Sequence, residues 1–183
     1  MPSPVGHALG GLIVGLAFQQ RADSRDIEPD LPLLRAWMKQ RELLVPCIAA
    51  ACLPDIDFAW GRHNMETHSV VFALVLGIVA FVWTRSSRMA IACAVAAGTH
   101  VLFDWLGSDD SPPLGVMALW PLSNQFYFAH AYVFVTISRR YWLPGFVEHN
   151  AMAVLREIAI LLPVAAALWW SRARSRSSAK DRR

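Results

Sequence analysis

Charge is scarce in this chain. Of its 183 residues 17% are Asp, Glu, Lys or Arg and 55% are hydrophobic, with a mean hydropathy of +0.35. A water-soluble domain carries about a quarter charged residues, so an ordinary soluble enzyme is a poor fit. Cysteine is sparse too: Cys47, Cys52 and Cys93 lie within apolar stretches and form no C-x-x-C pair. That argues against a disulfide scaffold or a cysteine-based zinc module and leaves buried structural thiols. A G-x-S-x-G elbow is missing, which disfavours a serine hydrolase. No internal repeat is visible, as the inverted halves of many transporters would require. The start, Met1-Pro2-Ser3-Pro4, lacks the positive residues of a signal peptide, so cleavage is not expected.

What the chain does have is apolar blocks of helical length. They span residues 5–18, 43–53, 70–84, 89–106, 126–137 and 151–170. Clustering of this kind is what membrane spans require. The expected fold is all-α: a polytopic helical membrane protein of about five to six hydrophobic helices with a metal site at one membrane face. Residues 1–171 form a single membrane domain, with 19–42 a polar cytoplasmic insertion in which Leu33, Leu34, Trp37 and Met38 can make an amphipathic surface helix. Residues 172–183 read as a basic, disordered tail anchored at anionic lipid on the cytoplasmic side. The lipid bilayer is the expected partner, and nucleic acid is not.

Against this apolar background four patches concentrate His and Asp. They are His7, the pair Asp55/Asp57 in Leu-Pro-Asp-Ile-Asp, His63 with Thr67-His68-Ser69, and His100 with Asp104. An ionisable side chain in or beside a membrane helix is costly and marks a functional site by default. Imidazole and carboxylate are also the usual ligands of zinc and other divalent ions. His100 and Asp104 are four residues apart and share a helix face. Asp55 and Asp57, one residue apart beyond a proline break, would repel each other and lose solvation without a cation. Thr67 is a candidate N-cap for the helix that follows.

Charge placement orients the chain. With residues 19–42 and the basic turn Arg85-Ser86-Ser87-Arg88 in the cytoplasm, all four patches come to the non-cytoplasmic half. Trp60, Trp105 and Trp120 would mark the outer interface, and Trp83, Trp169 and Trp170 the inner one. Arg139-Arg140 conflicts with this scheme, because a single span separates it from the basic tail. Either residues 126–142 do not cross the membrane or residues 141–150 are re-entrant.

The ordered set His7, Leu53-Pro54-Asp55-Ile56-Asp57, His63…Thr67-His68-Ser69, His100-x-x-x-Asp104 and Gly115…Pro121-Leu122-Ser123 resembles the YdjM-like membrane-bound metal-dependent hydrolases, over residues 1 to about 125. That family looks distantly similar to the zinc-dependent phospholipase C and single-strand nuclease group. The resemblance implies a bacterial-type inner (plasma) membrane protein that binds a divalent metal, with zinc expected, and hydrolyses a phosphoester. The His-Arg-Gly often found before Thr-His-Ser is His63-Asn64-Met65-Glu66 here, which leaves Arg62 as the substitute phosphate contact. His130 and Glu148-His149 are weak candidates for a later ligand pair. The expected metal ligands are His7, Asp55, Asp57, His63, His68, His100 and Asp104, with Asp55 and Asp57 as catalytic carboxylates. The expected activity is cleavage of a lipid or lipid-linked phosphoester by metal-activated water. A metal or proton transporter, or a non-catalytic metal-binding membrane protein, is the competing reading.

Overall fold

The computed structural model describes residues 1–19, 42–61, 63–110 and 112–180. The amphipathic helix expected near residues 33–38, and Arg62, lie outside them. Five α-helices are found among the described residues, and no β-strand.

Local chemistry starts and stops each helix. The Ser3 hydroxyl accepts from Val5 N and Gly6 N at 3.2 and 3.3 Å. Pro4 occupies the first turn of α1 (Pro4–Phe18), where no backbone donor is needed. Helix α2 (Leu44–Cys52) gives way at Pro54 to a 3₁₀ segment, Leu53–Trp60, which turns at Gly61 with φ 71°. The break expected near Asp55 is thus a change of helix type rather than an end of helical structure. A short 3₁₀ turn, Glu66–His68, leads into α3 (Val70–Thr84). Its N-cap is Ser69, whose Oγ accepts from Phe72 N at 3.1 Å. Thr67 is not the cap, because its hydroxyl is turned toward Asp57. Ser86 caps α4 (Ser87–Trp105) in the same manner, and α5 (Phe146–Lys180) closes the fold. Helix α5 runs on without a break from the expected 151–170 block into the basic stretch beyond residue 171.

Small residues let the first helices approach closely. Val14, Cys47, Ala51, Ala92, Cys93 and Ala96 form the core where α1, α2 and α4 meet. A Cβ at Gly11 would stand 2.5 Å from the Cys47 carbonyl oxygen and 2.7 Å from Ile48 Cα. Both are backbone atoms and cannot turn away, so glycine is required for this helix–helix approach. Gly11→Ala is therefore expected to force α1 off α2 and cost about 1–3 kcal/mol. Thermal unfolding of the detergent-solubilised variant, followed by loss of helical signal, measures this.

Cross-links between elements define two ends of the bundle. At one, Arg88 Nε donates to Phe18 O at 2.8 Å, and Arg172 donates to Ala17 O at 2.8 Å and also to Gln19 O. At the other, the irregular segment 106–145 folds back over the beginnings of α1 and α3. Val70 N donates to Ala118 O, Ala129 N to Trp105 O, and Ile137 N to Met1 O. Residues 126–137, expected as a hydrophobic helix, are non-helical and held by these bonds. Arg139-Arg140 therefore stands at the His/Asp end, and 126–142 does not cross the bundle.

One described helix, Phe146–Arg172 within α5, is long and apolar enough to cross a membrane, whereas Pro4–Phe18 and Val70–Thr84 are apolar but shorter. The all-helical expectation holds; where five to six hydrophobic helices are expected, one described helix qualifies as a candidate span by length and composition.

Candidate metal centre

Five elements deliver the polar patches to one place. His7 sits one turn into α1, and Asp55 and Asp57 lie on the 3₁₀ segment after α2. His63 follows the Gly61 turn, and His68 ends the short 3₁₀ turn. His100 and Asp104 lie one turn apart near the end of α4. His7, Asp57, His68, His100 and Asp104 are all buried, while Asp55 and His63 keep some exposure.

The imidazoles are held with their Nε2 atoms toward a common point. His100 Nδ1 lies 2.7 Å from Ala51 O, so that nitrogen donates to the carbonyl and Nε2 carries the free lone pair. His68 Nδ1 lies 3.1 Å from Asp57 Oδ2, which fixes that ring in the same sense. The two Nε2 atoms then face one another at 3.0 Å. Asp104 Oδ2 is 3.0 Å from His100 Nε2 and 3.3 Å from His68 Nε2. Asp55 Oδ1 stands 3.6 and 3.7 Å from the same two nitrogens. His7 completes the ring of donors, with Nε2 3.4 Å from Asp104 Oδ1 and its plane stacked on His100 at 3.7 Å between centroids.

These residues fit a divalent ion. Three overlapping sets have donor atoms within 4.8 Å of one another: His7, Asp55 and His100; Asp55, His63 and His68; and His68, His100 and Asp104. Tetrahedral zinc with bonds near 2.0–2.1 Å places its ligands about 3.3 Å apart, close to the spacings in the third set. Asp104 supplies the sharper test. Its oxygens lie 3.0–3.4 Å from three imidazole nitrogens, yet neither makes an aligned hydrogen bond. A fully buried carboxylate in that condition is costly unless a cation takes up its lone pairs.

Electrostatics in the connecting segments point the same way. Burial pushes the Asp55 and Asp57 carboxyls up, but the neighbouring histidines outweigh it and hold both below the usual carboxylate range. Burial pushes His68 down, yet hydrogen bonds to Asp55 and Asp57 win and raise it to about 9. A cation entering there would have to displace a proton from His68, so any affinity for metal is expected to increase with pH.

Asp57 has a different position from the other expected ligands. Its Oδ1 accepts from His63 Nδ1 at 2.8 Å, and its Oδ2 accepts from the Thr67 hydroxyl at 3.0 Å and faces His68 Nδ1. With both oxygens so engaged it belongs to none of the three donor sets. It lies behind two of the imidazoles, on the far side from their Nε2 atoms. His130 packs near Phe128, and His149 Nε2 lies 2.8 Å from Thr136 O. Neither they nor Glu148 joins a donor set among the described residues.

Sequence reasoning did not single out Glu157. Though within the apolar stretch of α5, it is fully buried and accepts from Ser3 N at 2.6 Å and from the Ser3 hydroxyl. Ser3 caps α1 one turn before His7, so Glu157 ties the start of that helix to α5. A lone acid seven residues into a long helical pattern was the available signal.

A cavity of about 420 Å³ opens beside the centre, lined among others by Asp55, Phe58, His63, Thr136, Ser138 and Arg139. The cavity leaves Asp55 and His63 open on that side.

Neither a curated protein nor a solved structure matches the chain. A family model does, the one described as YdjM inner membrane protein, over residues 1–177. It covers the first four helices, the irregular segment and all but the last three residues of α5, well beyond the first 125 residues on which the sequence resemblance rested. With its His/Asp centre at one end of a helical bundle, the chain belongs to the YdjM inner membrane protein family.

Proposed function

We propose that this protein is a membrane-bound, metal-dependent hydrolase of lipid or lipid-linked phosphoesters, with zinc as its metal. The observation that carries the reading is the convergence of two imidazole Nε2 atoms on the buried, unaligned carboxylate of Asp104. The donor set, imidazole with carboxylate and no thiolate, suits zinc among the divalent ions. A divalent ion bound there would lower the pKa of a coordinated water and supply hydroxide near neutral pH.

The chain's own groups take the remaining roles. His7, His68, His100 and Asp104 hold the centre from the buried side. Asp55 stands between the centre and the cavity with its side chain 21% exposed. Held ionised by its histidine neighbours, it can accept the proton of the attacking water. Asp57 fixes the rings of His63 and His68. The products are a phosphate or phosphoester acid and an alcohol, with water divided between them.

A polytopic arrangement with the centre on the non-cytoplasmic side completes the proposal. Its support is the outward face of the short helices, where Ile78, Val82 and Trp83 of α3 are 62%, 58% and 87% exposed and Ile91 of α4 is 54% exposed. Water would penalise so continuous an apolar surface, whereas lipid would not. Arg85, Arg88 and Arg172 gather at the opposite end, where positive residues face the cytoplasm. A centre at the membrane surface suits a lipid substrate.

The test is purified protein assayed on a phospholipid panel with and without chelator, alongside elemental analysis. Stoichiometric zinc and chelator-sensitive release of a phosphorylated or alcohol product are expected. Bound metal with no turnover of any lipid phosphoester would leave a metal-binding protein and sink the hydrolase.

A further inference from the structure

Two arginines, Arg139 and Arg140, line the cavity beside the centre among the described residues. Arg139 lies over the Phe58 ring, its guanidinium carbon 4.2 Å from the ring centroid. His63 is stacked on that same ring at 3.9 Å between centroids. The guanidinium thus stands no further from the His63 ring than the sum of those two distances. Stacking occupies the flat face of a guanidinium and leaves its in-plane N–H donors available.

The segment leading into Arg139 is fastened by hydrogen bonds. Ser138 N donates to Asn150 Oδ1 at 2.8 Å, and Asn150 Nδ2 donates back to Ser138 O at 3.0 Å. Ile137 N donates to Met1 O, and Thr136 N to Ser108 Oγ at 2.8 Å. The neighbouring charges are accounted for differently. Arg140 is 3.7 Å from Asp110, and Asp109 Oδ2 accepts from Gly115 N at 2.9 Å. Among the described residues no ion pair holds Arg139.

We propose that Arg139 is the anion-recognising residue of this cavity and binds the phosphate group of the substrate. A planar donor fork is suited to phosphate oxygens, which it meets in pairs. Arg139 lines the same cavity as His63 and Asp55, so a phosphate held there would share that cavity with the exposed side of the centre. The inference deepens the hydrolase reading and rests on it, since it assigns the substrate's charged group to a residue of the same cavity. The chemistry recognised is a phosphate anion, whether on a lipid headgroup or free in solution.

Calorimetry on the full chain in detergent tests it, using inorganic phosphate, dihexanoyl phosphatidic acid and, as a zwitterionic reference, dihexanoyl phosphatidylcholine. Each titration is run with bound metal and again after chelation, and metal content is measured for every variant. Arg139→Gln is expected to retain its metal and to lose at least about tenfold in affinity for phosphatidic acid. Arg139→Lys should recover part of this loss, because it restores charge without the planar fork. Phosphatidic acid binding tighter than inorganic phosphate marks a lipid source, and equal affinities mark a free phosphate. Metal-loaded Arg139→Gln binding both phosphates as tightly as wild type would overturn the proposal. Wild type that holds no metal, yet loses phosphate affinity on the same substitution, would overturn the hydrolase reading and leave the Arg139 assignment standing.

Discussion

Alanine at position 104 is expected to strip the protein of its metal. Asp104 is the one carboxylate of the centre that is fully buried and lies within 3.0–3.4 Å of His7, His68 and His100 together. Removing it takes the negative charge from among three imidazoles whose Nε2 atoms face it. Loss of a partner that merely orients a ligand already costs about 10–100-fold in metal affinity. Loss of a direct ligand should exceed that range. Elemental analysis of purified Asp104→Ala is expected to find less than about a tenth of the wild-type metal, on the same reasoning. His100→Ala should match it, since its Nε2 faces both His68 and Asp104. His149→Ala, whose ring is spent on Thr136 O, should retain the full complement. Stoichiometric metal in a folded Asp104→Ala protein would falsify the centre as drawn.

The parts of this arrangement that could be read in the sequence are those that break a local rule. Carboxylates and imidazoles within apolar stretches are conspicuous because each is expensive there. Seven of them pointed to one end of the bundle before any contact was known. Helix boundaries at 5–18 and 70–84 were equally legible, since apolar content switches off abruptly at Gln19 and Arg85. What escaped notice depends on partners distant in sequence. Glu157 resembles a flaw in the final helix until Ser3, over 150 residues earlier, is seen against it. Segment 126–137 has the hydrophobicity of a span but not its fate. Its backbone groups are bonded one at a time to Trp105, Leu106 and Val116, contacts that periodicity cannot foretell. Thr67 and Ser69 were indistinguishable as caps by residue type, and Asp57 decided between them by drawing the Thr67 hydroxyl away.

The same Asp57 yields the second large expected effect, and it separates an orienting carboxylate from a liganding one. Asp57→Asn should weaken metal binding by about 10–100-fold while leaving the site able to fill at saturating metal. In the native side chain both oxygens accept, one from His63 Nδ1 at 2.8 Å and the other from Thr67 Oγ1 at 3.0 Å beside His68 Nδ1. Asparagine has nearly the same shape but replaces one acceptor by an NH₂ donor. That donor would meet an imidazole N–H or the Thr67 hydroxyl, so one ring must flip its tautomer or rotate. A flipped His68 would carry its proton on Nε2 and present it to His100 Nε2, now only 3.0 Å away. Metal would then have to restore the tautomer before it could bind. The loss of negative charge acts in the same direction, because a carboxylate beside the His68 ring favours a cation there. Competition with a chromophoric chelator gives the dissociation constants. Asp57→Asn as severe as Asp104→Ala would make Asp57 a direct ligand, whereas an intermediate loss, relieved by excess metal, assigns it to holding His63 and His68 in place.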